Sequence, residues 1–227
     1  MNYMNYMNYL SFDVGIKNLA YCELTKDKKI VNWGILNLND NPQCCMKLKK
    51  QCDKQSSYCL DIKGDKKYYC SSHIQHKSIN KSGKKKKLNT NNDICKLSQR
   101  CIERLRKLNL ENIRHVLIEN QPALKNPVMK SVQMIVYTFF IIEGIMNNDS
   151  PIENIHMVNA RNKLKVYKGP EIKCEKKGYA KNKYLSIEYT KYMIQNEDES
   201  MIKLFDDSKK KDDLADSYLQ GVYWIEK

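Results

Sequence analysis

Residues 9–19 read Tyr-Leu-Ser-Phe-Asp-Val-Gly-Ile-Lys-Asn-Leu. They contain a short apolar strand that ends at the carboxylate of Asp13, and the chain then turns at once through Gly15. A carboxylate at the end of a buried strand is costly unless its charge is compensated, and a divalent cation does this well. Gly15 has no Cβ, so it permits both the turn and a close approach of the backbone to a phosphate. We therefore expect Asp13 to be a metal ligand; the alternative is a turn acid that precedes Gly15.

Three further acids lie where a purely structural role is hard to assign. Glu119 ends a second apolar run, residues 115–118, where the alternative is a solvated strand end. Asp213 and Asp216 are three residues apart in a probable helix and therefore share one of its faces. Asp212 is an open alternative, because it could cap this helix or pair with Asp216 at a spacing of four.

The order of the probable elements indicates an α/β fold. The pattern predicts strands over 9–13, 19–25, 30–38, 115–119 and 155–158, and helices over 92–108, 127–147, 181–196 and 210–225. Three antiparallel strands followed by alternating helices and strands match the ribonuclease-H-like order, a mixed five-stranded sheet flanked by helices. The first and fourth strands of that fold are neighbours, which would bring Asp13 and Glu119 together and place the acids of the last helix beside them.

The positive charge of the chain is concentrated in one segment. The 227 residues carry a net charge of +14, and residues 41–90 alone hold thirteen Lys and three Asp, which is +10 of that total. Such a segment favours a polyanionic partner, although a generally lysine-rich composition is the alternative. The longest apolar run, residues 134–142, is too short to cross a bilayer, and no signal peptide is evident. We expect a soluble, intracellular protein with no membrane partner.

The same segment contains a pattern typical of a structural zinc site. Zinc prefers four tetrahedral Cys and His ligands, and one such ion would allow about fifty residues without a large apolar core to fold. The spacing x6, x10 and x2 predicts four ligands to one Zn²⁺: Cys52, Cys59, Cys70 and His73. Other residues could replace a wrongly assigned ligand: Cys44, Cys45 and His76. The alternative is a disordered lysine-rich loop with reduced thiols.

Three motifs carry a resemblance to a known family. Residues 12–19, Phe-Asp-Val-Gly-Ile-Lys-Asn-Leu, resemble the first motif of the RuvC-like Holliday junction resolvases, closest to the poxvirus and fungal mitochondrial branch. Residues 117–122, Leu-Ile-Glu-Asn-Gln-Pro, are similar to its second acidic motif, and residues 210–217 to its C-terminal acidic helix. The resemblance implies a metal-dependent endonuclease that resolves four-way DNA junctions by paired phosphodiester hydrolysis, as a homodimer. It implies a viral protein of the host cytoplasm rather than a mitochondrial one.

The resemblance also implies roles for the acids. Phosphodiester hydrolysis of this kind uses two Mg²⁺ or Mn²⁺ ions about 3.5–4 Å apart. Asp13 would bridge them, Glu119 would hold one ion, and Asp213 with Asp216 would hold the other. The family pattern favours Asp213 over Asp212.

Basic and polar residues complete the predicted site. Lys163 resembles a basic residue that relatives carry just after the fifth strand, where it would stabilise charge on the scissile phosphate. It could instead be a loop lysine that only touches DNA, and Arg161 or Lys165 could take either role. Further DNA contacts are expected from the first turn and the basic segment: Lys17, Asn18, Lys84, Lys85, Lys86 and Lys87.

These expectations divide the chain into three parts. Residues 1–7 form a disordered lead-in, residues 8–39 with 91–227 form the resolvase domain, and residues 40–90 form a basic zinc-binding insertion that could clamp the DNA arms. Two other functions are compatible with the same pattern. One is a ribonuclease-H-like nuclease for RNA–DNA hybrids or flaps, and the other is a non-catalytic zinc and DNA-binding module.

Overall fold

The structure, a computed structural model, describes residues 7–39, 41–79, 82–88, 93–124 and 126–227. Apart from Met7, the lead-in predicted over residues 1–7 lies outside the described residues. The chain divides into two compact units. The larger consists of the described residues up to Leu38 together with Ser98–Lys227, and the smaller spans Asn39–Leu97.

The strands form one sheet in each unit. Their bounds are β1 Asn8–Asp13, β2 Asn18–Leu24, β3 Ile30–Asn37, β4 Tyr58–Ile62, β5 Asp65–Tyr69, β6 Lys84–Lys87, β7 Ile113–Glu119 and β8 Asn154–Val158. The helices are α1 Ile94–Leu105, α2 Pro127–Phe140, α3 Gly178–Met193, α4 Glu199–Asp207 and α5 Lys211–Ile225. The larger sheet has the order β3-β2-β1-β7-β8. Strand β1 is antiparallel to β2 and parallel to β7, so the predicted ribonuclease-H-like fold is confirmed.

The two central strands carry the core and end at the same edge of the sheet. Residues 116–118 of β7 are fully buried, as expected for a parallel strand covered on both faces. In the register, Phe12 pairs with Ile118. The next residue along each strand is therefore an acid, Asp13 on β1 and Glu119 on β7.

Helix α5 is held against the sheet by buried polar contacts as well as by apolar packing. Gln220 donates through Nε2 to Ser11 Oγ and to the Phe12 carbonyl oxygen, at 3.1 Å each. Trp33 donates through its indole nitrogen to the Leu214 carbonyl oxygen at 3.1 Å and stacks on Phe205. These contacts fix the helix so that its first two turns lie beside the ends of β1 and β7.

Helix α2 packs a largely apolar face against the sheet. It begins at Pro127, with the Asn126 side chain as its cap, and Phe140 contacts Phe12 at a ring separation of 5.5 Å. A π-helical turn, Ile141–Ile145, continues it. The whole stretch, Pro127–Ile145, is apolar enough to cross a membrane by length and composition alone. About a third of this stretch is buried, whereas Met134, Ile142 and Ile145 are exposed.

Several elements were not expected from the sequence. The smaller unit contains an antiparallel sheet of order β5-β4-β6, in a segment for which no strand was predicted. Helix α4 was not predicted, and neither was the 3₁₀ helix Ala160–Val166.

Candidate active site

The ends of β1 and β7 and the start of α5 line one cleft of about 540 Å³ in the larger unit. All the acids predicted for the site lie there: Asp13, Glu119, Asp213 and Asp216, together with Asp212. Of the basic and polar residues expected to act nearby, Lys17, Asn18, Arg161 and Lys163 also line it. Lys165 is exposed and is not among the lining residues.

Three of the acids are electrostatically coupled to one another. Burial raises the pKa of Asp13 well above its usual range, and the nearby charges of Glu119 and Asp216 raise it further, against the opposing charge of Lys163. Burial is also the main reason why the pKa of Asp216 is raised, with Glu119 adding to it and Lys163 opposing it. The group therefore holds more negative charge than its surroundings neutralise.

Lys163 is the cation at the centre of this group. Its Nζ lies 2.6 Å from Asp216 Oδ2, and its side chain is 16% exposed. Burial acts to lower the pKa of Lys163, but the charges of Asp216, Asp13 and Glu119 outweigh burial and raise it. The amine is thus held in its charged form beside the acids, which distinguishes it from the exposed Arg161 and Lys165.

Asp212 and Asp213 have different partners. Asp212 Oδ2 lies 2.6 Å from Lys183 Nζ. Burial acts to raise the pKa of Asp212, but hydrogen bonds with Lys183 and Asp213 outweigh burial and lower it. Asp213 accepts a hydrogen bond from Asn18 Nδ2 at 3.2 Å, and its pKa is raised by burial and by Asp212. Asp213 is therefore the less neutralised of the two, although Lys210 lies 3.8 Å away.

Glu119 is oriented by two residues that the sequence did not single out. Gln121 Nε2 donates to Glu119 Oε2 at 2.6 Å, and the Val14 backbone N–H donates to the same oxygen at 3.4 Å. Gln121 is itself fixed, because its backbone N–H donates to Gln133 Oε1 at 2.7 Å. A glutamine two residues after a site acid, followed by proline, was the available signal.

The turn after β1 has little space for a larger residue. A Cβ added at Gly15 would collide with the carbonyl oxygen of Asn18. Gly15 therefore serves the turn itself, and Asn18 emerges from the turn toward Asp213. The exposed side chain of Lys17 also lines the cleft from this turn.

The acid cleft fits hard divalent cations by its donor chemistry, because carboxylate oxygens are the ligands that Mg²⁺ and Mn²⁺ prefer. The raised pKa values of Asp13, Asp213 and Asp216, due first to burial and then to neighbouring acids, mean that their ionised forms are poorly stabilised, and a bound cation would offset this. Among the described residues, no three of these acids bring their carboxylate oxygens within 4.8 Å of one another. The carboxylate oxygens are thus farther apart than the ligands in a closed shell around a single ion.

The smaller unit gathers a different ligand set from the one predicted for zinc. The ligand atoms of Cys44, Cys52, Cys70 and His73 all lie within 4.8 Å of one another. The assignment of Cys59 is therefore wrong. Successive residues of a strand point to opposite faces, and Leu60 of β4 packs in the same apolar cluster as Cys44 and Cys70. Cys59 consequently points away from that cluster.

The alternative zinc ligands and the lysines predicted to contact DNA also lie in the smaller unit. Cys45 is exposed, and His76 Nδ1 lies 2.7 Å from Ser78 Oγ, so neither substitute belongs to the group. The four lysines of β6 are exposed along an edge strand of the smaller sheet.

Comparison with known proteins gives matches over nearly the whole chain. The sequence profile described as mitochondrial resolvase Ydc2 / RNA splicing MRS1 matches residues 9–123. An uncharacterised protein, L451 of Acanthamoeba polyphaga mimivirus, is 31% identical over 96% of this chain and 74% of its own length.

Two solved structures share the fold. The yeast mitochondrial Holliday junction resolvase Ydc2 aligns over 96% of this chain and 79% of its own, with a TM-score of 0.54 at 17% identity. The fowlpox virus resolvase, solved with its substrate Holliday junction DNA, aligns over 97% of both chains, with a TM-score of 0.50 at 16% identity.

Proposed function

The chain belongs to the family described as mitochondrial resolvase Ydc2 / RNA splicing MRS1, and we propose that it is a nuclease of this family. The proposed activity is that of a metal-dependent, structure-selective endonuclease that resolves four-way DNA junctions. The family description covers both a nuclease and an RNA-splicing protein. Deciding between the two for this chain therefore depends on whether a hydrolytic site is present.

The observation that favours the nuclease is the acid group around Lys163. Asp13, Glu119 and Asp216 come from three different elements and are coupled at one cleft, at the cost of raised pKa values in Asp13 and Asp216. A protein that only binds nucleic acid gains nothing from partly buried, mutually repelling carboxylates, because they also repel phosphates. In an enzyme that hydrolyses phosphodiesters at a metal site, the same carboxylates would bind the metal.

The residues of the cleft suit distinct tasks in phosphodiester hydrolysis. Asp13, Glu119, Asp213 and Asp216 would hold Mg²⁺ or Mn²⁺, two ions in our proposal, which supply an activated water and stabilise the leaving oxygen. Lys163, charged and mostly buried, can donate from Nζ to an oxygen of the scissile phosphate as negative charge develops there.

Neighbouring polar groups keep these side chains in place. Gln121 and the Val14 N–H hold the Glu119 carboxylate, and Asn18 holds that of Asp213. Because such pre-oriented groups need little rearrangement when substrate binds, they favour the reacting geometry. We therefore assign Gln121 and Asn18 as positioning residues, with Asn18, Lys17 and Arg161 also able to contact DNA at the cleft.

The proposed substrate is a branched DNA, and the proposed active form is a homodimer. A four-way junction is resolved by two symmetric nicks, which two copies of one site deliver naturally. The resolvases of fowlpox virus and yeast mitochondria support a DNA-processing role, and the mimivirus relative supports a viral setting. We place the protein in the cytoplasm of a virus-infected host rather than in mitochondria.

The smaller unit is proposed to grip the arms of the junction. The residues 41–90 carry +10, and the lysines of Lys84–Lys87 form an exposed row. Lysine contacts with phosphates release counterions, so this grip should weaken steeply with salt. We propose that its fold depends on a zinc ion.

Cleavage of synthetic substrates tests this function. The full-length protein is incubated with Mg²⁺ and a labelled four-way junction, an RNA–DNA hybrid or a flap, and the products are mapped. We expect paired nicks placed symmetrically near the branch point, and their loss in Asp13→Asn with binding retained. Preferential cleavage of the hybrid or flap would favour the other nuclease, and binding without any cleavage would favour the non-catalytic module.

A further inference from the structure

The four clustered ligands of the smaller unit come from two short structures. Cys44 and Cys52 lie on an irregular hairpin between the bridged residues Gln43 and Gln55. Its arms are joined by the Cys44 N–H, which donates to the Lys54 carbonyl oxygen at 2.8 Å, and other backbone bonds. The second pair, Cys70 and His73, follows β5 directly and enters a short 3₁₀ helix. Two turns that each supply two ligands are a common way to enclose one ion.

The spacing of these atoms suits a tetrahedral zinc ion better than a disulfide. Zn–S and Zn–N bonds of about 2.3 and 2.0–2.1 Å imply ligand separations of about 3.8 Å between sulfurs and about 3.6 Å between sulfur and nitrogen. Cys44 Sγ lies 3.5 Å from His73 Nδ1, and all four ligand atoms lie within 4.8 Å of one another. A disulfide would join two sulfurs at about 2.0 Å and leave the other two ligands without a role.

The ligand types favour zinc at this place. Three thiols and one imidazole are soft ligands, which select zinc over the magnesium expected at the acid cleft.

A bound metal would strengthen the smaller unit, because its apolar core is small. Its buried cluster, among the described residues, consists of Cys44, Met46, Leu60, Tyr69, Cys70, Ile74 and Ile79. Two of these seven are the thiols themselves. In a unit below about 70–80 residues, a single apolar core rarely supplies more than about 3–5 kcal/mol, and a metal or disulfides often add to it. This unit spans only Asn39–Leu97, and its cysteines are all free.

We propose that Cys44, Cys52, Cys70 and His73 bind one structural Zn²⁺, and that this ion folds the smaller unit. The ligands fix the hairpin to the end of β5, and the apolar cluster they belong to includes Leu60 of β4. Strand β4 in turn pairs with the lysine strand β6. Removing the ion should therefore unfold the surface that carries the lysines.

Metal content of the full-length protein tests the ligand set. The matched controls are Cys45→Ser, which changes an exposed neighbouring thiol, and Cys59→Ser, which changes a buried thiol outside the group. We expect one zinc per chain in the unmodified protein and in both controls, and a loss of at least about tenfold in Cys44→Ser. Zinc retained in Cys44→Ser, or lost in Cys59→Ser, would overturn the assignment.

A second measurement applies even if Cys44→Ser fails to fold. Zinc is removed from the unmodified protein by a chelator under reducing conditions and replaced with Co²⁺, for which we expect a thiolate-to-cobalt charge-transfer band and tetrahedral visible absorption. Hydrogen exchange of the metal-free protein should accelerate by about tenfold or more in β4 and β5 but not in β1 or β7. Absence of cobalt uptake, or unchanged exchange in β4 and β5, would refute the proposal. Neither readout depends on nuclease activity, so the proposed function could fail separately.

Discussion

Replacing Asp13 with asparagine should make the metal-free protein more stable while abolishing its cleavage of junctions. Asparagine has nearly the same shape as aspartate but carries no charge. Burial, Glu119 and Asp216 all raise the pKa of Asp13, so the folded state holds the ionised carboxylate at a cost that the unfolded chain does not have. The substitution removes that cost together with a proposed metal ligand.

Burial is the largest cause of the raised pKa, and the neighbouring charges give the part of the effect that can be sized from the structure. Asp13 faces two like charges, Glu119 and Asp216, and one opposite charge, Lys163, so about one repulsive contact is left uncompensated. At about 5 Å and an effective dielectric constant of about 20–40, such a contact costs about 2–3 kcal/mol. Asp13 is partly exposed, and screening by solvent roughly halves this figure. We expect a gain of about 1–2 kcal/mol, which raises the Tm by about 2–8 °C for a chain of this size.

The pH dependence of unfolding gives a second signature of Asp13. Because the folded pKa is raised, the folded state binds more protons than the unfolded state between the ordinary pKa of aspartic acid and the raised value. The free energy of unfolding therefore falls as pH rises through that window, and the loss persists above it. The Asp13→Asn variant should show a smaller fall over the same window.

Thermal and denaturant unfolding in EDTA, with and without added Mg²⁺, measure this prediction. With Mg²⁺ the unmodified protein should gain about 1.4 kcal/mol for each tenfold excess over its Kd, and the variant should gain less. The control is Asp149→Asn, an exposed acid outside the cleft, which should change stability by less than about 0.5 kcal/mol. A variant that is destabilised in EDTA, or one that still cleaves junctions, would refute the reasoning.

Further predictions concern the lysine of the cleft, the first turn and the basic strand. Lys163→Met should lower kcat for junction cleavage by about 10²–10³-fold with little change in binding, whereas Lys165→Met should leave kcat within about threefold; equal effects would contradict a special role for the partly buried lysine. Gly15→Ala should destabilise the protein by about 1–3 kcal/mol in urea unfolding, because its Cβ would displace the Asn18 carbonyl; an unchanged midpoint would show that the turn adapts freely. Changing all four lysines of Lys84–Lys87 to glutamine should reduce the slope of log affinity against log salt by up to about 3.6, as measured by gel shift, and an unchanged slope would exclude this strand from DNA contact.

The sequence alone predicted the strands of the central sheet and the positions of the four acids on them and on the last helix. Apolar runs that end in Asp13 and Glu119 predicted two strands, and the ribonuclease-H-like order predicted that they are neighbours. The register confirms that they are adjacent, in a parallel pair. The spacing of Asp213 and Asp216 predicted a shared helix face, and both line the cleft. These inferences succeeded because strand and helix periodicity are local properties of the chain.

What the sequence did not predict depends on tertiary contacts. Strand β6 consists only of lysines, and its strand conformation is set by pairing with β4 rather than by its own propensity. Spacing favoured Cys59 over Cys44, because it does not reveal on which face of β4 a thiol points. The support of Glu119 by Gln121 was missed because hydrogen-bond geometry leaves no periodic trace.

Strand β6 also bears on how the protein avoids self-association. Among the described strands it lies on the outside of the smaller sheet, so one row of its backbone N–H and C=O groups pairs with no described strand. Such edges can recruit strands from other molecules and start aggregation. A strand made of Lys84–Lys87 resists this, because a second copy laid alongside would bring two rows of positive charge together. The residues proposed to hold DNA would thus also keep unbound molecules apart in the cell.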